Sequence, residues 1–300
     1  MKKNNHLDSE REVVKMDEGY LDIEGKKIWY SVYGKEKKNT PIFVVHGGPG
    51  FSSMPEVVCE FGEQRPVYFY DQLGSRRSDK AKSKDDYSVE YFVAELEGVI
   101  KALQFTDIIL MGFSWGCGLI GSYMLEKKPA GGKALILSAP FLSTSLWDRD
   151  QREYITKMPS AIIKAIENGE ISGDYAGEYQ TAMMAYYNRH VCRLNPWPNS
   201  LVEAFDALNM DVYQTMWGPS EFTVTGKLKG FDLYPRLHEI TIPVLLTCGD
   251  NDEAGVKTVK DFQIAFPHAQ MAVIPNASHL HHIEQPQIYK TVVNEFLKNQ

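Results

Sequence analysis

An α/β architecture, with a mostly parallel sheet covered by helices on both faces, is what this sequence predicts, and two observations predict it. Short apolar runs of strand length alternate with stretches of 3.6-residue periodicity over residues 41–137 and again over 244–297. The runs are apolar nearly throughout, as in Pro41–Val45 and Val244–Thr247. That is the pattern of strands buried on both sides, and hence of parallel pairing.

The elements follow in order. Gly19–Ile23 and Lys27–Val32 read as strands joined across Glu24-Gly25-Lys26, so a hairpin opens the pattern. Pro41–Val45 and Val67–Tyr70 read as buried strands, and Val89–Leu103 as an amphipathic helix. Asp107–Met111 is a strand running into a helix near Trp115–Glu126, and Ala134–Leu137 is the next strand. Val244–Thr247 and Ala269–Ile274 are strands, each followed by a helix, near Val256–Phe266 and Gln287–Leu297. Between about Pro140 and Lys229 the alternation stops. That stretch, rich in Tyr, Met, Trp and helix formers such as Glu178–Arg193, reads as a helical insertion capping the sheet. The expected division is a core over residues 1–139, a cap over 140–232 and the rest of the core over 233–300.

Composition narrows the function. With 32 Lys plus Arg against 39 Asp plus Glu, the 300-residue chain carries a net charge of −7. A nucleic-acid binder would instead carry a basic patch or stripe. Aromatic residues make up 12% of the chain, too many for a disordered protein. No apolar run approaches the ~20 residues that span a bilayer. Residues 1–14, MKKNNHLDSEREVV, lack the apolar core of a secretory signal and read as a mobile polar arm. Cys59, Cys117, Cys192 and Cys248 lie far apart, which suits isolated thiols in a reducing cytoplasm better than a zinc site or disulfide frame.

The sharpest chemical signal is Gly112-Phe113-Ser114-Trp115-Gly116, set between a predicted strand and a predicted helix. There G-x-S-x-G means a nucleophile on a strained turn, its hydroxyl exposed and the N–H groups of the next helix facing developing negative charge. The alternative is a turn chosen only for tightness. Upstream, His46-Gly47-Gly48-Pro49-Gly50 follows a strand, and a glycine-rich loop there brings backbone N–H groups close to a substrate carbonyl. Gly48 and Trp115 are the expected oxyanion donors, with His46 orienting the loop.

A serine hydroxyl needs a base, and the base an orienting acid, in the chain order Ser, Asp or Glu, His for this arrangement. Asp252 and His279 fall just past the C-terminal ends of predicted strands, where open α/β sheets place their sites. Asp250 is a rival that caps the turn or orients the base. His281 and His282 enter the next helix and read as supporting or surface residues.

The motifs HGGPG, Tyr70-Asp71-Gln72-Leu73-Gly74-Ser75 and GFSWG, taken together, resemble the prolyl aminopeptidase (proline iminopeptidase) family of α/β-hydrolases. So do Asn195-Pro196-Trp197-Pro198, Trp217-Gly218-Pro219-Ser220-Glu221-Phe222, Gly249-Asp250-Asn251-Asp252-Glu253 and Ala277-Ser278-His279. The likeness runs from about residue 18 to the C-terminus. It implies an eight-stranded hydrolase sheet with a helical cap, cleaving an N-terminal residue, typically proline, from a peptide. It places the triad on Ser114, Asp252 and His279, the oxyanion donors on Gly48 and Trp115, and amine-recognising carboxylates on Glu221 and Glu253. An exopeptidase must hold a free α-amino group, and facing carboxylates favour its charged form. Read alone, either glutamate is an ordinary solvated charge.

Three departures from the family pattern bear on which first residue is preferred. Where many members read D-Q-R-G-x-G-x-S, this chain has Leu73 for the arginine and Arg76 for a glycine, and Cys117 replaces a usual glycine. Tricorn-associated aminopeptidases and amino-acid amidases share the framework and take other residues or leaving groups.

The expected activity is therefore that of a serine aminopeptidase acting on a short peptide or aminoacyl amide with a free N-terminus. It needs no metal or organic cofactor, no nucleic acid and no membrane. The alternatives are an amino-acid amidase or arylamidase, or a non-catalytic ligand receptor on a hydrolase scaffold. An epoxide hydrolase or dehalogenase would carry a carboxylate at position 114, and a lipase would not place glutamates beside an acyl chain. Oligomeric state has no signature in the sequence.

Overall fold

The structure, a computed structural model, describes residues 15–300, so the polar arm expected over 1–14 lies outside the described residues. The chain forms an α/β-hydrolase sheet of eight strands. These are β1 (Met16–Ile23), β2 (Lys26–Tyr33), β3 (Ile42–Val45), β4 (Val67–Tyr70), β5 (Ile108–Phe113), β6 (Gly132–Ser138), β7 (Val244–Gly249) and β8 (Ala269–Ile274). Their order across the sheet is β1-β2-β4-β3-β5-β6-β7-β8. The β1–β2 and β2–β4 pairs are antiparallel and every other pair is parallel.

Local chemistry explains the first hairpin. Its turn is two residues, not three, because Glu24 and Gly25 both take positive φ (51° and 77°) and Lys26 already pairs with Ile23. Two left-handed residues in succession match the twist of the flanking strands. In the central strands, alternate side chains go to opposite layers. Phe43, Val45, Leu110, Leu135, Leu137 and Leu246 pack with α1 (Val89–Ala102) and α2 (Trp115–Lys127). Ile42, Val44, Ile109, Met111, Ile136 and Leu245 face the other way, toward Tyr289, Val293 and Phe296 near the C-terminus. Each such side chain contributes about 1.5–3 kcal/mol when fully buried.

Between β6 and β7 the chain leaves the sheet for five helices: α3 (Thr144–Ile155), α4 (Ser160–Ser172), α5 (Glu178–His190), α6 (Asn199–Asp206) and α7 (Met210–Met216). They hold an apolar cluster of their own around Ile155, Ile166, Tyr179, Tyr186 and Phe222. The chain closes with α8 (Val256–Ala265), the one-turn α9 (His281–Glu284) and α10 (Pro286–Leu297). No helix among the described residues is long and apolar enough to cross a membrane.

One carboxylate in the first layer is unusual. Glu95 of α1 is buried, and both its oxygens accept from the Leu73 N–H, at 3.2 and 3.0 Å. Burial lifts its carboxyl from the usual 4.5 to about 8, against the pull of that N–H and of Lys26. Between those two values the folded chain keeps a proton that the unfolded chain has lost. Stability contributed by this group is thus present below about pH 4.5 and lost as pH rises toward about 8. The melting temperature of Glu95→Gln should accordingly fall less than the parent's between about pH 5 and about pH 9. Equal falls in the two proteins would show that Glu95 does not titrate in this range.

Candidate active site

The turn from β5 to α2 holds Ser114 at φ 51° and ψ −120°, a conformation that costs a non-glycine residue about 1–3 kcal/mol. Neighbouring backbone fixes it: the Ser114 N–H donates to Ser138 O at 3.0 Å, and its carbonyl accepts from Cys117 N at 2.9 Å and Phe141 N at 3.3 Å. The flanking glycines are steric necessities. A Cβ on Gly116 would lie 2.1 Å from Val45 O, and one on Gly112 would lie 2.8 Å from Cys117 N. This close approach also explains why β5 runs through a glycine to Phe113, beyond the Met111 expected from apolar periodicity. Trp115 is the first residue of α2, so its N–H has no carbonyl one turn back within the helix to bond.

The facing loop is pinned by a chain of buried hydrogen bonds. His46 Nε2 accepts from Gln72 N at 3.0 Å, which leaves Nδ1–H to donate to Gly47 O at 2.7 Å. The Gln72 side chain donates to His46 O at 2.9 Å and accepts from Trp115 Nε1 at 3.0 Å. Burial holds His46 below its usual pKa, so it stays neutral and orients the loop. With Leu73 in place of an arginine, the cation of this loop is Arg77. Its guanidinium grips Asp71 at 2.6 and 2.8 Å, donates to Ser53 Oγ at 3.0 Å and lies 3.4 Å above the Trp29 ring. Burial alone would raise the Asp71 carboxyl, but the bond and charge of Arg77 hold it below its usual value.

Beyond β7 and β8 lie Asp252 and His279, the expected acid and base. His279 Nδ1 is 2.9 Å from Asp252 Oδ1, which also accepts from Ala254 N at 2.8 Å, while Oδ2 accepts from Gly249 N at 3.1 Å. Burial would push the Asp252 carboxyl up, yet the charge and hydrogen bond of His279, joined by His281, hold it at about 2. A carboxylate fixed at Nδ1 keeps that nitrogen protonated and leaves Nε2 free to accept a proton. Asp250 instead accepts from Asn276 N and Ala277 N at 3.0 and 3.1 Å and caps their turn.

Two histidines read as supporting or surface groups are not at the surface. His281 is fully buried, its Nδ1 3.7 Å from Asp252 Oδ2 and its Nε2 2.9 Å from Thr247 Oγ1. His282 is 3% exposed, with its ring 4.5 Å from that of Phe113. Their helix is a single turn ended before Pro286, too short to present an outer face. Glu284 at its end ties the base loop down by accepting from Ser278 Oγ at 3.0 Å and from the N–H groups of Ser278 and Arg193.

Glu221 and Glu253 meet in the same place from different elements. Glu253 is fully buried, neither of its carboxylate oxygens has a hydrogen-bond partner among the described residues, and Oε1 lies 3.6 Å from His279 Nδ1. Burial, then the negative charges of Glu221 and Asp252, push its pKa well up. Burial also raises Glu221, offset by the Tyr213 hydroxyl, which donates to Oε1 at 2.6 Å, and by His279. Nothing in the sequence marked Tyr213 among sixteen tyrosines. Equally unmarked was the His190 carbonyl at the end of α5, which accepts from His279 N at 3.0 Å and Glu253 N at 3.4 Å.

Gly48, Ser114, Glu221, Glu253 and His279 all line one cavity, open at its mouth. Asp252 lies behind His279, and the Trp115 side chain turns into the core. Val191, Leu201 and Phe205 of the helical insertion supply apolar walls. Among the described residues, no three His, Cys, Asp or Glu side chains cluster as a metal-ligand set.

Comparison with known proteins fits this geometry. A family model described as the alpha/beta hydrolase fold matches residues 40–286. A proline iminopeptidase of Heyndrickxia coagulans is 36% identical over 94% of this chain and 99% of its own. The crystal structure of VinJ superposes with a TM-score of 0.90 at 30% identity, covering 94% of this chain and 98% of that one. A proline iminopeptidase of Mycobacterium smegmatis gives a TM-score of 0.85 at 29% identity, with the same coverage. A likeness that spans sheet, insertion and both carboxylate-bearing loops leaves one assignment: the chain belongs to the proline iminopeptidase family of α/β-hydrolases.

Proposed function

We propose that this protein is a serine aminopeptidase that releases an N-terminal residue, proline in the first instance, from short peptides in the cytoplasm. The observation that carries the reading is Glu253, a fully buried carboxylate with two unpartnered oxygens on the wall of the Ser114 cavity. Burying such a group is unfavourable unless a cation arrives to pair with it. With Glu221 lining the same cavity, it forms a seat for one protonated amine.

The mechanism follows from that placement. The substrate's α-ammonium docks between Glu221 and Glu253, which brings the first residue's carbonyl over Ser114. His279 Nε2 takes the Ser114 proton as Oγ attacks, and Asp252 holds the imidazole and stabilises its charge. The Gly48 and Trp115 N–H groups receive the oxyanion, and His279 returns the proton to the departing amine. Water then repeats the sequence on the acyl-enzyme. Residues 140–232 act as the cap, and their apolar side chains suit a pyrrolidine ring. No step calls for a metal or organic cofactor.

The test is a double cycle of Glu221→Gln against N-acetylation of the substrate. Leaving one partner of a buried charge pair alone costs about 2–5 kcal/mol. At ~1.4 kcal/mol per decade, Glu221→Gln or Glu253→Gln should lose roughly 30- to 3000-fold in kcat/KM on a free aminoacyl p-nitroanilide. Acetylation should do comparable damage to the parent, and the two together should be far from additive. Additive losses, or an acetylated substrate cleaved as fast as the free one, would favour a general amidase or esterase. A second reading, an amino-acid amidase, shares this amine seat, and a panel of prolyl and other aminoacyl amides beside the anilides separates the two.

A further inference from the structure

Besides Ser114, His279 and the two glutamates, the cavity is lined by Val44, Ser52, Ser53, Met54 and Phe113, and His282 forms part of its wall. If the aminopeptidase reading holds, the amine end is fixed at Glu221 and Glu253, so this remainder is where the departing chain must lie. Two imidazoles outside the triad line the cavity, and His46 has both nitrogens engaged, with Gln72 N and Gly47 O, whereas His282 has an unpartnered nitrogen among the described residues. It comes from α9, three residues after the base, and its ring is clamped against Phe113 at 4.5 Å and Tyr289 at 5.8 Å between ring centres. Its Nδ1 is buried with no hydrogen-bond partner among the described residues. A buried polar atom left without a partner is rare and costly in a folded protein.

We infer that His282 is a specificity-determining residue that hydrogen-bonds the main-chain amide of the residue on the leaving side of the scissile bond. Several observations agree. The imidazole is held neutral, by burial and by the neighbouring charges of His281 and His279, so it offers one N–H and one lone pair. A peptide amide presents the complementary pair, a carbonyl and an N–H, whereas a p-nitroanilide ring presents neither at that distance. The aromatic clamp fixes the ring plane, so the bond needs little reordering when substrate arrives. The rest of this wall is apolar or carries small hydroxyls, which makes the imidazole its main source of orientation.

The experiment compares two substrates with the same first residue, an aminoacyl-glycinamide and an aminoacyl-p-nitroanilide, in the parent and in His282→Phe. The ratio of kcat/KM for glycinamide to that for anilide should fall about tenfold in the variant, the size expected of one hydrogen bond lost in a buried site, and the fall should lie in KM. His282→Met, a flexible apolar filler, repeats the removal should Phe fit poorly. His282→Gln keeps a donor and an acceptor and should restore most of the ratio. A ratio unchanged in both apolar variants, whether or not both activities drop together, would overturn the inference and leave His282 a packing residue. A parent enzyme that cleaves neither substrate would instead overturn the aminopeptidase reading itself.

Discussion

Ser114→Ala should leave the thermal melt close to the parent's and lower kcat by about 10⁶, as removal of a serine nucleophile does in comparable triads. The fold should survive because Ser114 is held through its backbone: its N–H and carbonyl make the bonds to Ser138, Cys117 and Phe141. Alanine keeps all three and loses only the hydroxyl. His279→Ala should cost a similar factor, since nucleophile and base act as one unit. His281→Ala and His282→Ala are the controls. Single-turnover kinetics on an aminoacyl p-nitroanilide would decide the matter. Near-normal turnover in His279→Ala, with loss in either neighbour, would move the base elsewhere.

Asp252→Asn should lower kcat by about 10⁴ with little change in fold, the effect seen when a triad aspartate becomes an amide. The Gly249 N–H can still donate to an amide oxygen in the place of Oδ2, which puts the NH₂ in the place of Oδ1, facing His279 Nδ1, and leaves the Ala254 N–H without its acceptor. That arrangement favours the wrong tautomer, with the proton on Nε2, where it blocks acceptance from Ser114. Asp250→Asn is the contrasting variant. Its carboxylate serves the Asn276 and Ala277 N–H groups, so the loss should appear in stability and leave kcat within a few-fold. The reverse pattern, a large kcat loss at position 250 and a small one at 252, would exchange the roles of the two aspartates.

What could be read from the sequence was local. The strand Val67–Tyr70 lies where its apolar run is, because a strand buried on both faces shows its limits in composition alone, and the half-exposed edge strand Ala269–Ile274 also keeps its expected limits. Ser114 was legible because its geometry needs glycine at fixed offsets, and those offsets are sequence. Groups that depend on distant partners were hidden. Arg77 reaches back across a loop to Asp71, and no periodicity encodes that pairing. Nor does a one-turn helix announce its inner side, so His281 and His282 read equally as supporting or surface residues until α10 and β5 are set around them. Glu253 owes its unusual state to what does not surround it, which no motif can record.

The bonds received by the His190 carbonyl also govern molecular traffic. The last turn of α5 holds the N–H of His279 and that of Glu253, and the adjacent Val191 carbonyl holds Leu280 N at 3.0 Å. Swinging the helical roof away would therefore pull the base and the amine seat out of register at the same stroke. Opening wide for a bulky client would break the bonds that hold His279 and Glu253 in place. On the proposed aminopeptidase reading, substrates would thread a standing doorway, amine first. The clearance of that doorway then acts as a molecular sieve, passing frayed chain ends and short oligomers while turning away folded proteins.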